Sequence, residues 1–157
     1  ILKMLEDSLV FSRLTYALPV WGPAVHQNSL SRINRLHNRA IRIVCGLRKS
    51  DHVSRHRQAI GWLSVPLLTQ HRTLCGMLDQ YAGRGILLNP SIQFGRQHTY
   101  STRCPAHFAM IDRCRLALSK RHFRQKATSW WNSLPLELFS RLSSFRYNLY
   151  KYLVCIV

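Results

Sequence analysis

Four arginines, Arg32, Arg35, Arg39 and Arg42, follow one another at intervals of three, four and three residues. On an α-helix that spacing gathers them on one side over about two and a half turns. A guanidinium is always charged and presents a planar fork of donors that fits a phosphate bidentately, so a row of them suits a track of phosphates. Residues 26–50 add Arg48 and Lys49 and contain no acid at all. The plain alternative is a solvated charged face, but such faces normally mix signs. A second basic region, 101–126, offers Lys120, Arg121 and Arg124, together with Arg103, Arg113, Arg115 and Lys126, against Asp112 alone.

Catalytic chemistry is hard to assemble from what remains. The six acids are Glu6, Asp7, Asp51, Asp79, Asp112 and Glu137. Acid–base and metal-assisted phosphoryl chemistry needs convergent carboxylates, and the one adjacent pair, Glu6 and Asp7, would not face each other on a helix. His52 and His56 share a helical spacing, but no second ligand pair follows at metal-site distance, so they read as solvated or facing nucleic acid. His98, Cys104, His107 and Cys114 are spaced H-x5-C-x2-H-x6-C, which would close a tetrahedral zinc site, although the spacing matches no familiar finger or knuckle. His71 lies on an apolar helical face and reads as a packed, hydrogen-bonded side chain. There is no Gly-rich phosphate loop, and spacing reveals no Ser/His/Asp or Cys/His arrangement. No enzyme activity, cofactor or small-molecule substrate is expected.

The composition agrees with a polyanion partner. The 157 residues include 23 Lys and Arg, giving a formal net charge of +17, with a pI near 10.9. Such an excess opposes compaction unless a polyanion is near, and nucleic acid is the commonest one. A membrane surface is the rival, but the longest uncharged stretch, 14–31, holds Pro19, Gly22 and Pro23 and cannot be a span. Hydrophobic residues make up 46%, enough for a core. Five scattered cysteines with no C-x-x-C pair argue against a disulfide framework and for a reducing compartment, nucleus or cytoplasm. The first residues do not read as a signal peptide. The opening on Ile1 rather than Met suggests a fragment or truncated gene product.

The elements that would position these residues are helical. A helix is expected over 2–18, apolar on most sides and therefore buried. A second runs from after Ser29 to Cys45 with Gly46 as C-cap, and its core face is assigned to Ile33, Leu36, Ala40 and Ile43, beside the arginine stripe. Asp51 is expected to cap a short helix ending near Gly61. Pro66 opens a fourth, with Leu67, Leu68, His71, Leu74, Cys75, Leu78 and Tyr81 on its apolar face, stopped by Gly83 and Gly85. Residues 83–118 read as a long loop with room for one short hairpin. A fifth helix over 119–131 points Phe123, Ala127 and Trp130 inward, with Trp131 on the flank. Asn132 and Ser133 break it. The last, about 141–153, packs Leu142, Phe145, Leu149 and Tyr152. The two tryptophans of "WWNSLP" read as packing at a helix end, with a base-stacking platform as the alternative. The expected fold is an all-α, irregular bundle of five or six helices. Its parts are a thumb-like unit (1–82), a loop-rich connection (83–118) and a C-terminal helical unit (119–157).

Four segments, in order, carry a resemblance. "LTYALPVWGPA" at 14–24 resembles the Leu-x-Tyr-Gly-x-x-Val-Trp-Gly stretch that follows the polymerase core of LINE-type, non-LTR retrotransposon reverse transcriptases. "LHNRAIRIVCGLRKSD" at 36–51 is similar to the Gln-Asn-Arg-Ala-Leu-Arg-Ile-Ile-x-Gly segment after it, and "AIGWLSVPLL" at 59–68 to Leu-Gly-Trp-Leu-x-Val. "FRQKATSWWNSLPLEL" at 123–138 with "SSFRYNLYKYL" at 143–153 resembles the terminal Ala-x-x-x-Trp-Asn-x-Leu-Pro … Phe-Lys-x-x-Leu signature. His37 stands where Gln is usual, and Ala17 where Gly is usual. The palm's Tyr-x-Asp-Asp box is missing, since no Asp-Asp pair occurs. The resemblance thus implies a thumb-like, post-palm region of an RNA-directed DNA polymerase, holding template RNA or an RNA/DNA hybrid and working beside a palm that is not in this sequence. The alternatives are a decayed transposon reading frame without activity, or an unrelated basic helical module that binds RNA or an acidic protein.

Overall fold

The computed structural model describes residues 1–84, 92–95, 107–111, 113, 115–116 and 122–155. All named elements are helical, as the periodicities require. The first helical run comprises α1 (Leu2–Glu6), a π-helical turn (Asp7–Phe11) and α2 (Ser12–Thr15). The hydroxyls of Ser12 and Thr15 bond back to the carbonyls of Ser8 and Phe11, a competition that distorts helical ladders. This run is not buried as expected: Leu2, Leu5, Leu9 and Val10 are exposed, and Leu18 beyond it is the residue that enters the core. Between them Ala17 takes a left-handed φ of 48°. Pro19 then sits in the first turn of α3 (Leu18–Trp21), where its missing N–H costs nothing. Gly22 follows because a Cβ there would lie 2.5 Å from Thr69 Cγ2 and 2.6 Å from the Leu18 carbonyl oxygen.

Helix α4 (Gln27–Cys45) begins two residues before the expected Ser29 cap, with His26 Nδ1 accepting from the Asn28 N–H. It ends on left-handed Gly46, as its sequence suggests. Its core face is corrected by the structure. The buried residues are Leu30, His37 and Ile41, while Leu36 and Ile43 are 66% and 63% exposed. The inward stripe is half polar because it does polar work. Asn34 Oδ1 accepts from the Val65 N–H at 3.1 Å, and Asn38 Oδ1 accepts from Arg57 Nη2 at 2.6 Å. The His37 ring packs against Phe11 and Trp62, with centroids 5.7 and 5.5 Å away.

Helix α5 (Ser54–Ile60) forms without Asp51 as its cap; that carboxylate instead accepts from the Arg48 N–H at 2.9 Å. Helix α6 (Val65–Tyr81) carries Pro66 in its first turn and is buried on more sides than its predicted face. Leu68, Leu74 and Leu78 are joined by Val65, Thr69, Thr73 and Met77, with Leu67, His71, Cys75 and Tyr81 half-buried. The chain continues into α7 (Phe123–Asn132), a 3-10 turn (Leu136–Phe139) and α8 (Phe145–Cys155). In α7 the buried ring is Trp131, not Trp130. In α8 Leu153 is buried with Phe145 and Leu149, and Tyr152 packs half-buried against the same core as expected, while Leu142 lies outside the helix and is exposed.

One apolar cluster joins α6 to the C-terminal elements. It takes Leu74, Met77 and Leu78 from α6, Ile92, Phe94 and Ala109 from the intervening segment, and Trp131, Leu138, Phe145, Leu149 and Leu153 from the C-terminal elements. In the segment expected to be loop, the described residues form an isolated antiparallel bridge, Phe94 to Ala109. The "WWNSLP" stretch holds that bridge in place. Trp131 Nε1 donates to the His107 carbonyl at 2.6 Å. Asn132 donates to the Ala109 carbonyl at 2.8 Å and accepts its N–H at 2.9 Å, as a neighbouring strand would.

Candidate nucleic-acid interface

Because α4 spends Leu30, Asn34, His37 and Ile41 on the core, the arginine stripe is left on the opposite, outer side. Arg32, Arg35 and Arg39 are exposed and Arg42 is half-buried. Gly46, with φ of 63°, then lets the chain fold back over the end of the helix, bringing Leu47 to Lys49 alongside it. The result is an open cleft of about 630 Å³, lined by Arg35, Asn38, Arg39, Arg42, Ile43, Leu47 and Lys49.

The cleft's polar framework is ordered from within. Arg42 Nη2 donates to the Asp51 carbonyl at 3.3 Å, and the Asp51 carboxylate is engaged by the Arg48 N–H. That carboxylate therefore closes a turn rather than neutralising the cleft. Asn38 is fixed by Arg57. Among the described residues no carboxylate pairs with Arg32, Arg35, Arg39, Arg42, Arg48 or Lys49; the ion pairs found are those of Asp79 with Arg146 at 2.7 Å and Arg84 at 4.0 Å. An unneutralised wall of guanidinium and ammonium groups attracts polyanions and releases their counterions on contact.

Of the nine basic residues singled out by sequence, the structure brings Arg35, Arg39, Arg42 and Lys49 together. Arg32 continues the stripe one turn toward the N-terminus without lining the cleft, and Arg48 is exposed beside it. Arg124 stands apart, in the first turn of α7. Lys120 and Arg121 lie outside the described residues. Sequence reasoning missed Asn38, Ile43 and Leu47, since only the backward turn at Gly46 makes them neighbours.

The remaining chemistry is weak. Of the zinc candidates, His98, Cys104 and Cys114 lie outside the described residues, and His107 stacks on Phe139 at 4.4 Å with its pKa lowered by burial. Among the described residues no three His, Cys, Asp or Glu gather as a metal site. His71, half-buried as expected for a packed side chain, has Nε2 3.4 Å from the Arg146 carbonyl. Cys75 Sγ is 3.8 Å from that same nitrogen, an adjacency the sequence reading overlooked. Burial pushes the Cys75 thiol up to about 11, so it is protonated near neutral pH and is no nucleophile. No helix among the described residues is long and apolar enough to cross a membrane. The chain matches no protein-family model, no curated protein and no solved structure.

Proposed function

We propose that this chain is a non-catalytic nucleic-acid-binding region that holds RNA or an RNA/DNA hybrid along the outer face of α4. We propose further that it derives from the post-palm part of a non-LTR retrotransposon reverse transcriptase. The observation that carries the binding reading is the cleft itself: three arginines and a lysine converge on it, and among the described residues no carboxylate lines it. The net charge of +17 supports the same reading, because it supplies long-range attraction for any polyphosphate. The retrotransposon origin rests on the four ordered sequence segments. The absence of an Asp-Asp pair from this sequence is why no polymerase activity is assigned to it.

The test is an RNA-binding titration over a series of salt concentrations, with the wild-type chain and an Arg32, Arg35, Arg39, Arg42 to Gln variant. The slope of log K against log salt should be steep. It should fall by about 3 to 4 units in the variant, since each lost phosphate contact removes about 0.7 to 0.9. Failure to bind RNA at low salt, or an unchanged slope, would overturn the proposal.

A further inference from the structure

A second concavity lies away from the arginine face, in a part of the molecule to which the sequence assigned no ligand. It is an open pocket of about 280 Å³, just below the range for small-molecule sites, about 300 to 1,000 Å³. Its apolar walls include Phe11, Trp62 and Leu68, and its more polar side has His71, Arg72 and Tyr150. The half-buried Phe11 ring stacks on the buried Trp62 ring, 8° apart in plane with centroids 5.7 Å apart, and the imidazole of His71 meets the Tyr150 ring edge-on at 88°. His37, on the buried side of α4, packs behind both Phe11 and Trp62, which separates this pocket from the cleft on the opposite side of the helix.

Two further features point to a ligand. Among the described residues the Tyr150 hydroxyl has no hydrogen-bond partner and the exposed Arg72 guanidinium pairs with no carboxylate, yet both border the same aromatic pocket. Phe11 is also the last residue of the π-helical turn, a rare element often found at functional sites. An aromatic wall selects a flat π-system, a guanidinium at the rim selects an anion attached to it, and a hydroxyl adds one directional bond.

The geometry points to a binding site for a nucleotide, with the base against the half-exposed Phe11 ring and the phosphate at Arg72. The base comes either from a free mononucleotide or from one unit of a strand. This site stands independently of the α4 interface.

Equilibrium dialysis with AMP, adenosine and inorganic phosphate tests it on the full chain. AMP should bind, adenosine should bind about tenfold more weakly, and phosphate should not displace AMP. Arg72→Gln should weaken AMP about tenfold, the loss of one charge-assisted contact, while leaving adenosine unchanged. Tyr150→Phe should have a smaller effect in the same direction. The Arg32, Arg35, Arg39, Arg42 to Gln variant should bind AMP normally. If an adenosine decamer displaces AMP and also loses affinity in Arg72→Gln, the base is supplied by a strand; if it does neither, the ligand is the free mononucleotide. No AMP binding, equal AMP affinity in Arg72→Gln and wild type, or displacement by phosphate alone would each overturn the assignment.

Discussion

At the scale of single residues, adjacent side chains have divided roles. Trp130 and Trp131 look equivalent in sequence, and the Phe123, Ala127, Trp130 spacing favours the first. The i, i+4 pair of Ala127 and Trp131 is the one buried, because Trp131 also satisfies its indole N–H on the His107 carbonyl. Trp131→Ala should therefore cost about 3–5 kcal/mol in a denaturant melt. Trp130→Ala, half-buried beneath the Lys126 ammonium, should cost about 1 kcal/mol. Equal losses would contradict this assignment. Ala17 occupies a left-handed conformation where the resembling motif has glycine; Ala17→Gly should raise stability by roughly 0.5–1 kcal/mol, read from the same melts. His37 predicts a pH dependence. Burial, then the neighbouring Arg57 charge, lowers its pKa to about 4, so between pH 6.5 and 4 the unfolded chain holds a proton that the folded chain refuses. Stability should fall as pH drops through that window, by roughly 3 kcal/mol from this residue. His71 and His107, also lowered by burial, act in the same direction, so the His37 part is read as the flattening of the Tm–pH curve in His37→Gln. An unchanged curve would show that the ring is not held neutral.

At the scale of elements, helix existence was legible and helix orientation was less so. Gly46, Gly61, Pro66 and Gly83 punctuate the chain where the sequence said they would, because capping and steric rules act locally. The buried side of α4 was not legible, because hydrophobic periodicity assumes that polar residues face water. Here Asn34, His37 and Asn38 make specific contacts with the α5–α6 region, and the more apolar stripe is left outside. Two substitutions separate the assignments. Ile41→Ala should cost about 2–5 kcal/mol, whereas Ile43→Lys, on the exposed stripe, should change stability by no more than about 0.5 kcal/mol. The reverse order in urea melts would restore the sequence-based face. The arginine stripe itself was legible because charge spacing requires no partner. Its cleft was not, since Leu47 and Lys49 reach α4 only through the turn at Gly46.

At the scale of the whole molecule, the thumb-like and C-terminal units read from sequence share one core, built on α6 and closed by Trp131, Phe145 and Leu149. Long-range contacts of that kind leave no periodic trace, and neither does the Asn132 clamp on Ala109. What sequence does carry at this scale is the charge imbalance; the proposal built on it is that α4 is the polyanion-binding face rather than one part of a uniformly basic surface. A charge-matched comparison tests this most directly. RNA affinity is measured at several salt concentrations for the Arg32, Arg35, Arg39, Arg42 to Gln variant and for a control in which exposed Arg13, Arg55, Arg141 and Lys151 become Gln. Both variants have the same net charge. The account predicts that the first loses about 3 to 4 units of salt slope and the control keeps nearly all of it; equal losses in the two would contradict it.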